Sequence, residues 1–155
     1  MKNLETKLVE KLTESGKKVA TSESCTGGLV AERITSVAGS SLCFDLGVVS
    51  YANEQKEKVL GVNMEDIKEF GAVSEVVALQ MSEGIKKLSG ADFGIGITGL
   101  AGPGGATDEK PVGLVYISIC SDDEHKAFEY HFKGNRDEVR RKTSDEALRL
   151  VLERV

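Results

Sequence analysis

The sequence predicts a three-layer α/β/α sandwich on a mixed sheet of about five strands, as a single domain over residues 1–155. Three observations lead there. Strand-like and helix-like segments alternate through the first two thirds of the chain, the pattern of parallel βα units. Two later apolar stretches flank the turn residues SDDE, which reads as a hairpin closing the sheet. A length of 155 residues is enough for one substantial core, and no repeat, low-complexity stretch or linker divides it.

Leu4, Leu8 and Leu12 recur at helical spacing until Ser15-Gly16 stops them. A short strand over residues 18–21 then runs into TSESCTGG (Thr21–Gly28), and Val30, Ile34 and Val37 line a helix ending near Ala38-Gly39. Residues 44–51, FDLGVVSY, read as a mostly apolar strand, followed by a short segment from Asn53 and a helix over 64–70. Gly71 breaks the chain. Ser74 is placed to cap a helix that buries Val77, Met81, Ile85 and Leu88. Residues 92–98 form a strand, GLAGPGGATDEKP a loop, and residues 112–120 another strand. Phe128, Tyr130 and Phe132 alternate in a hairpin strand over 125–133, expected at an edge, where a second copy of the chain would find free backbone groups. Asn135, with Glu138 in the capping-box position, opens a final helix whose apolar side is Val139, Ala147, Leu148, Val151 and Val155.

The composition, 40% hydrophobic and 29% charged, is that of an ordinary globular protein. A net charge of −5 argues against a general nucleic-acid binder. No apolar run is long enough for a membrane span, and the charged N-terminus lacks the apolar core of a secretory signal. Three cysteines without CxxC spacing, far in sequence from both histidines, argue against a zinc site or a disulfide framework and fit a reducing, cytoplasmic setting.

In such a sheet, ligands gather where loops leave the carboxyl ends of strands. Three polar loops qualify. In TSESCTGG, hydroxyls and a thiol precede a glycine pair at an expected helix start, where unpaired N–H groups favour an oxyanion or phosphate. On these residues alone, a plain helix cap by Ser24 or Thr26 is the simpler reading. In SYANEQK, Lys56 would be a base for a serine only if held neutral, and a solvated lysine is the simpler reading there. In TGLAGPGG, Thr98 is a candidate donor in a loop that frames an anion or substrate. Gly94, Gly96 and Gly99 spell GxGxxG, but two of them fall inside a strand and a loop follows, so a dinucleotide site is rejected. Arg136, Arg140 and Arg141 crowd the start of the last helix, against its macrodipole; an anionic ligand and surface salt bridges explain them equally well.

Taken together, SESCTGG, AGSS (Ala38–Ser41), GVVSYANEQK, GAVSE (Gly71–Glu75), TGLAGPGG with KPVG, and GNRDEVR resemble the CinA C-terminal domain family over nearly the whole chain. The resemblance implies a stand-alone nicotinamide-nucleotide amidase. Such an enzyme hydrolyses the carboxamide of nicotinamide mononucleotide to nicotinate mononucleotide and ammonia, with no metal or other cofactor. By the family's motifs, Ser24 is the nucleophile and Lys56 its base, with Tyr51 relaying a proton or holding the amine. The backbone of Cys25, Thr26, Gly27 and Gly28 would hold the oxyanion. Thr98, Gly99 and Arg136 would bind the nucleotide's ribose or phosphate. A lysine base has to fall from about 10.4 to near 7–8 to work at neutral pH.

Three alternatives remain open at this level. Cys25 could be the nucleophile, since a thiol at a helix start is acidified. The domain could bind a nucleotide without catalysis, or cleave a different small carboxamide.

Overall fold

A computed structural model describes residues 1–155. The leucine stripe forms helix α1 (Leu4–Ser15), which buries Leu8, Val9 and Leu12. Asn3 caps it by accepting the Thr6 N–H, and Gly16 ends it with a φ of 69°. Strand β1 (Val19–Glu23) follows, then α2 (Leu29–Thr35), a 3-10 turn (Ser40–Leu42) and strand β2 (Phe44–Val49). Helices α3 (Asn53–Leu60), α4 (Met64–Phe70) and α5 (Glu75–Ser89) lead to strand β3 (Phe93–Gly99). Strands β4 (Leu114–Cys120) and β5 (His125–His131) form the hairpin, and α6 (Arg136–Leu152) ends the chain's regular structure. The predicted capping box of Asn135 and Glu138 is present, and Ser74 accepts the Val77 N–H as predicted.

The five strands lie in the order β2-β1-β3-β4-β5, with the first three parallel and the hairpin antiparallel. One face of the sheet buries Ile95, Ile97, Val115, Ile117 and Ile119 against α1, α2 and α6. The other is covered by α5 with α3 and α4, around Val77, Met81, Ile85, Leu60 and Val62. This is the expected three-layer α/β/α sandwich on a mixed sheet. Arg33 ties α1, α2 and α6 together through Glu5 at 2.9 Å, Asp145 at 2.5 Å and the Ser144 hydroxyl at 2.7 Å.

The glycines of GxGxxG have a packing role. A Cβ on Gly94 would stand 2.3 Å from the Ser82 carbonyl, and one on Gly96 would stand 2.5 Å from that of Ala78. Both glycines therefore let α5 lie directly on β3. Other expectations need correction. The first strand continues to Glu23, so Thr21, Ser22 and Glu23 are buried in the sheet and Ser24 is the first residue beyond it. Helix α2 stops at Thr35, short of Val37. Leu88 is 53% exposed rather than buried, because it lies in the last turn of α5, beyond the sheet's cover.

Candidate active site

Strand register brings the first two polar loops together. Glu23 pairs with Val49, and the ladder continues as Ser50 donates its N–H to the Glu23 carbonyl at 3.0 Å and Ser24 donates to Ile97 at 3.1 Å. Ser24 and Ser50 therefore leave neighbouring strand ends side by side. After Ala52 the chain turns into α3, whose first turn carries Lys56 back over those ends. The aliphatic stem of Lys56 is enclosed, leaving the residue 1% exposed. Its Nζ lies 2.6 Å from the Ser50 carbonyl, 3.2 Å from the Tyr51 carbonyl and 3.0 Å from Ser24 Oγ. It has no carboxylate partner, and burial lowers its pKa below the ordinary 10.5.

Ser24 opens onto a cleft of about 220 Å³. Cys25, Tyr51, the segment Gly99–Gly102 and Arg136 form its walls. Tyr51 is 62% exposed, and its hydroxyl accepts from Arg136 Nη2 at 3.1 Å. Arg136 Nη1 donates to the Gly102 carbonyl at 2.7 Å. So it is the main chain of Tyr51, not its phenol, that touches the lysine. A second cleft, of about 190 Å³, opens beside Phe93 and Glu124 at the opposite end of the sheet and contains none of these residues. No three His, Cys, Asp or Glu side chains converge into a set that could ligate a metal ion.

The amides that open α2 are already occupied. The helix-start amides of Val30 and Ala31 donate to the two carboxylate oxygens of Glu23, at 2.9 and 3.1 Å, and that of Leu29 donates to Thr26. The helix N-terminus already holds an anion, supplied by the chain itself. Gly27 donates to the Ser24 carbonyl at 3.0 Å, closing a turn. The N–H groups of Cys25, Thr26 and Gly28 are left with no partner in the protein. Neither Ser24 nor Thr26 caps α2: the N-cap is Gly28, at a φ of 101°.

Cys25 is buried, and that burial, reinforced by the Glu23 charge, pushes its thiol up to about 12, so it stays protonated at neutral pH. The Thr26 side chain is fully buried and faces no cleft. Thr98 is 1% exposed and donates its hydroxyl to the Ala72 carbonyl at 2.8 Å, so its proton is committed within the fold. Ser22 likewise donates to the Met81 and Ile95 carbonyls. Among the hydroxyls of TSESCTGG, only that of Ser24 meets the lysine.

Two side chains that matter here were not singled out for these roles from sequence. Glu23 was visible as the one acid of TSESCTGG, placed to meet the helix that follows. Arg140 was visible only as one of three crowded cations. None of Arg136, Arg140 or Arg141 forms a salt bridge, which removes the surface-pairing explanation for them. Arg140 donates instead to the Cys25 carbonyl at 3.2 Å and the Thr26 carbonyl at 2.9 Å.

Fold and site together define an α/β domain in which a serine hydroxyl and a buried lysine amine meet at the carboxyl ends of adjacent parallel strands. The chain belongs to the CinA C-terminal domain family, whose model matches residues 1–155. It is 50% identical over 144 residues to a CinA-like protein of Anaeromyxobacter dehalogenans, covering 93% of this chain and 35% of that one. A CinA-like protein of Endomicrobium trichonymphae is 46% identical over 140 residues, covering 90% and 33%. The chain thus spans about a third of the length of these curated relatives. The crystal structure of competence/damage inducible protein CihA from Agrobacterium tumefaciens superposes with a TM-score of 0.95 at 41% identity, over 97% of this chain and 92% of that one. A CinA superfamily protein from Escherichia coli gives 0.94 at 30% identity, over 99% and 89%.

Proposed function

We propose that this domain is a nicotinamide-nucleotide amidase that hydrolyses the carboxamide of nicotinamide mononucleotide through an acyl-enzyme on Ser24. The mechanism rests on one observation: a buried lysine amine touches Ser24 and is otherwise held by two main-chain carbonyls. A neutral amine has two N–H donors and one lone pair. With both donors occupied by the Ser50 and Tyr51 carbonyls, the lone pair is left for the Ser24 hydroxyl proton.

In the first half-reaction Ser24 Oγ bonds to the carboxamide carbon, and its proton passes to Lys56 Nζ. The free N–H groups of the 25–28 turn stabilise the oxyanion. The C–N bond then breaks, Lys56 returns the proton to the departing nitrogen, and ammonia leaves. In the second half-reaction a water attacks the acyl carbon, giving one proton to Lys56, which hands it back to Ser24 as the carboxylic acid is released and loses its own proton to solvent. Arg136, free of any carboxylate, suits the phosphate, and the exposed Tyr51 ring offers an aromatic face to the pyridine. The family resemblance supports the substrate; the serine and its lysine support the chemistry.

Ammonia release from nicotinamide mononucleotide, measured beside free nicotinamide and the dinucleotide, tests the reading. Ser24→Ala is expected to abolish release, and Cys25→Ala to keep it within about tenfold, since the thiol is protonated and buried. Binding of the mononucleotide without ammonia would replace the reading with that of a nucleotide-binding module.

A further inference from the structure

The guanidinium of Arg140 reaches across from α6 to the 24–28 turn and grips two successive carbonyls, those of Cys25 and Thr26. It makes no ion pair, so these main-chain oxygens are its bonded partners. Space for it is provided by Gly27, which has a φ of 60°: a Cβ there would stand 3.2 Å from Arg140 Nη2.

The peptide between Cys25 and Thr26 is trans, so its C=O and N–H point in opposite directions within one plane. Holding the Cys25 carbonyl towards α6 therefore turns the Thr26 N–H the other way, and that N–H has no partner in the protein. A cation on the carbonyl also polarises the peptide and makes its N–H a stronger donor. We propose that Arg140 is a positioning residue for the tetrahedral intermediate, fixing and polarising the Thr26 N–H as an oxyanion donor beside Ser24. This rests on Ser24 being the nucleophile, but not on which carboxamide it attacks.

The test reads Ser24 directly. A fluorophosphonate transfers its phosphoryl group to Ser24 Oγ as fluoride leaves and the hydroxyl proton passes to Lys56; the adduct, followed by intact mass, needs the same oxyanion donor. Arg140→Met is expected to label about 10- to 100-fold more slowly than wild type, below the loss from deleting a donor outright. The pH midpoint of labelling, set by Lys56, should not move, and free guanidinium should restore part of the rate to Arg140→Ala. Labelling of Arg140→Met within twofold of wild type overturns the proposal, as does a slower rate that comes with a displaced pH midpoint. If the methionine variant melts early, Arg140→Gln keeps a donor and removes the charge; a folded glutamine variant that labels at the wild-type rate also overturns it. Wild-type labelling with no ammonia from the mononucleotide would remove the substrate reading alone and leave the role of Arg140 standing.

Discussion

The Lys56 amine lies 3.0 Å from the Ser24 hydroxyl and has no carboxylate to keep it charged. An ion-paired lysine would hold its proton and could not serve as a base. Here burial dominates, and it disfavours the ammonium form. The same enclosure that makes the lysine expensive to protonate makes it useful.

The first prediction concerns the rate. If neutral Lys56 is the base, log kcat/KM for ammonia release should rise with pH at unit slope and level off above the folded pKa of Lys56. That break should fall below the ordinary 10.5. Lys56→Ala should lose about 10²- to 10⁴-fold in kcat and lose this limb of the profile, as removal of a general base does. A variant that keeps the limb would assign it to another group.

Stability should carry the same signature. Between the folded pKa of Lys56 and 10.5, the unfolded chain binds a proton there that the folded chain does not. Wild-type stability therefore increases with pH across that window and falls as pH drops through the folded value, at up to about 1.4 kcal/mol per pH unit. Lys56→Met removes the proton, so the difference between wild type and variant in urea melts should slope across this window. A flat difference would mean that the lysine titrates normally.

Glu23 should behave as an internal helix cap. Its carboxylate receives two helix-start amides while fully buried. Glu23→Gln keeps one acceptor and turns an NH₂ towards an N–H, which should cost about 1–3 kcal/mol in urea unfolding. Catalysis should weaken as well, because Ser24 is the next residue. A neutral effect on both would show that α2 does not depend on this cap.

Tyr51→Phe separates ring from hydroxyl. The phenol bonds Arg136 and not Lys56, so the substitution should raise KM a few-fold as Arg136 loosens, with kcat within about threefold. A large fall in kcat at unchanged KM would instead restore the proton-relay role considered from sequence.

Much of this was legible in the order of residues. Periodicity and caps marked α1, α5 and α6 because those signals are local: a leucine stripe ended by glycine, Ser74 before Val77, Asn135 with Glu138. The meeting of Ser24 with Lys56 was not local, since it depends on the register between β1 and β2. Composition alone made Lys56 a solvated residue, and family motifs were needed to select it. The fate of the helix-start amides was hidden for a related reason. Whether Glu23 is solvent-facing or folded back onto α2 is decided by strand β1 running two residues further than expected, which buries the carboxylate beneath the turn. Arg140 lay beyond reach as well, because its partners are carbonyls more than a hundred positions away, and a carbonyl leaves no mark in a sequence.

Strand order has a consequence for durability. Ser24 follows an interior strand, whereas Lys56 follows β2, the outermost strand on its side, whose residues alternate between half-buried and exposed. Peripheral segments open more readily than central ones. Under mild urea or warming, Ser24 and Lys56 would part company while the central sheet and its helices stay assembled, and any chemistry that needs both would stop well before the molecule lost its shape.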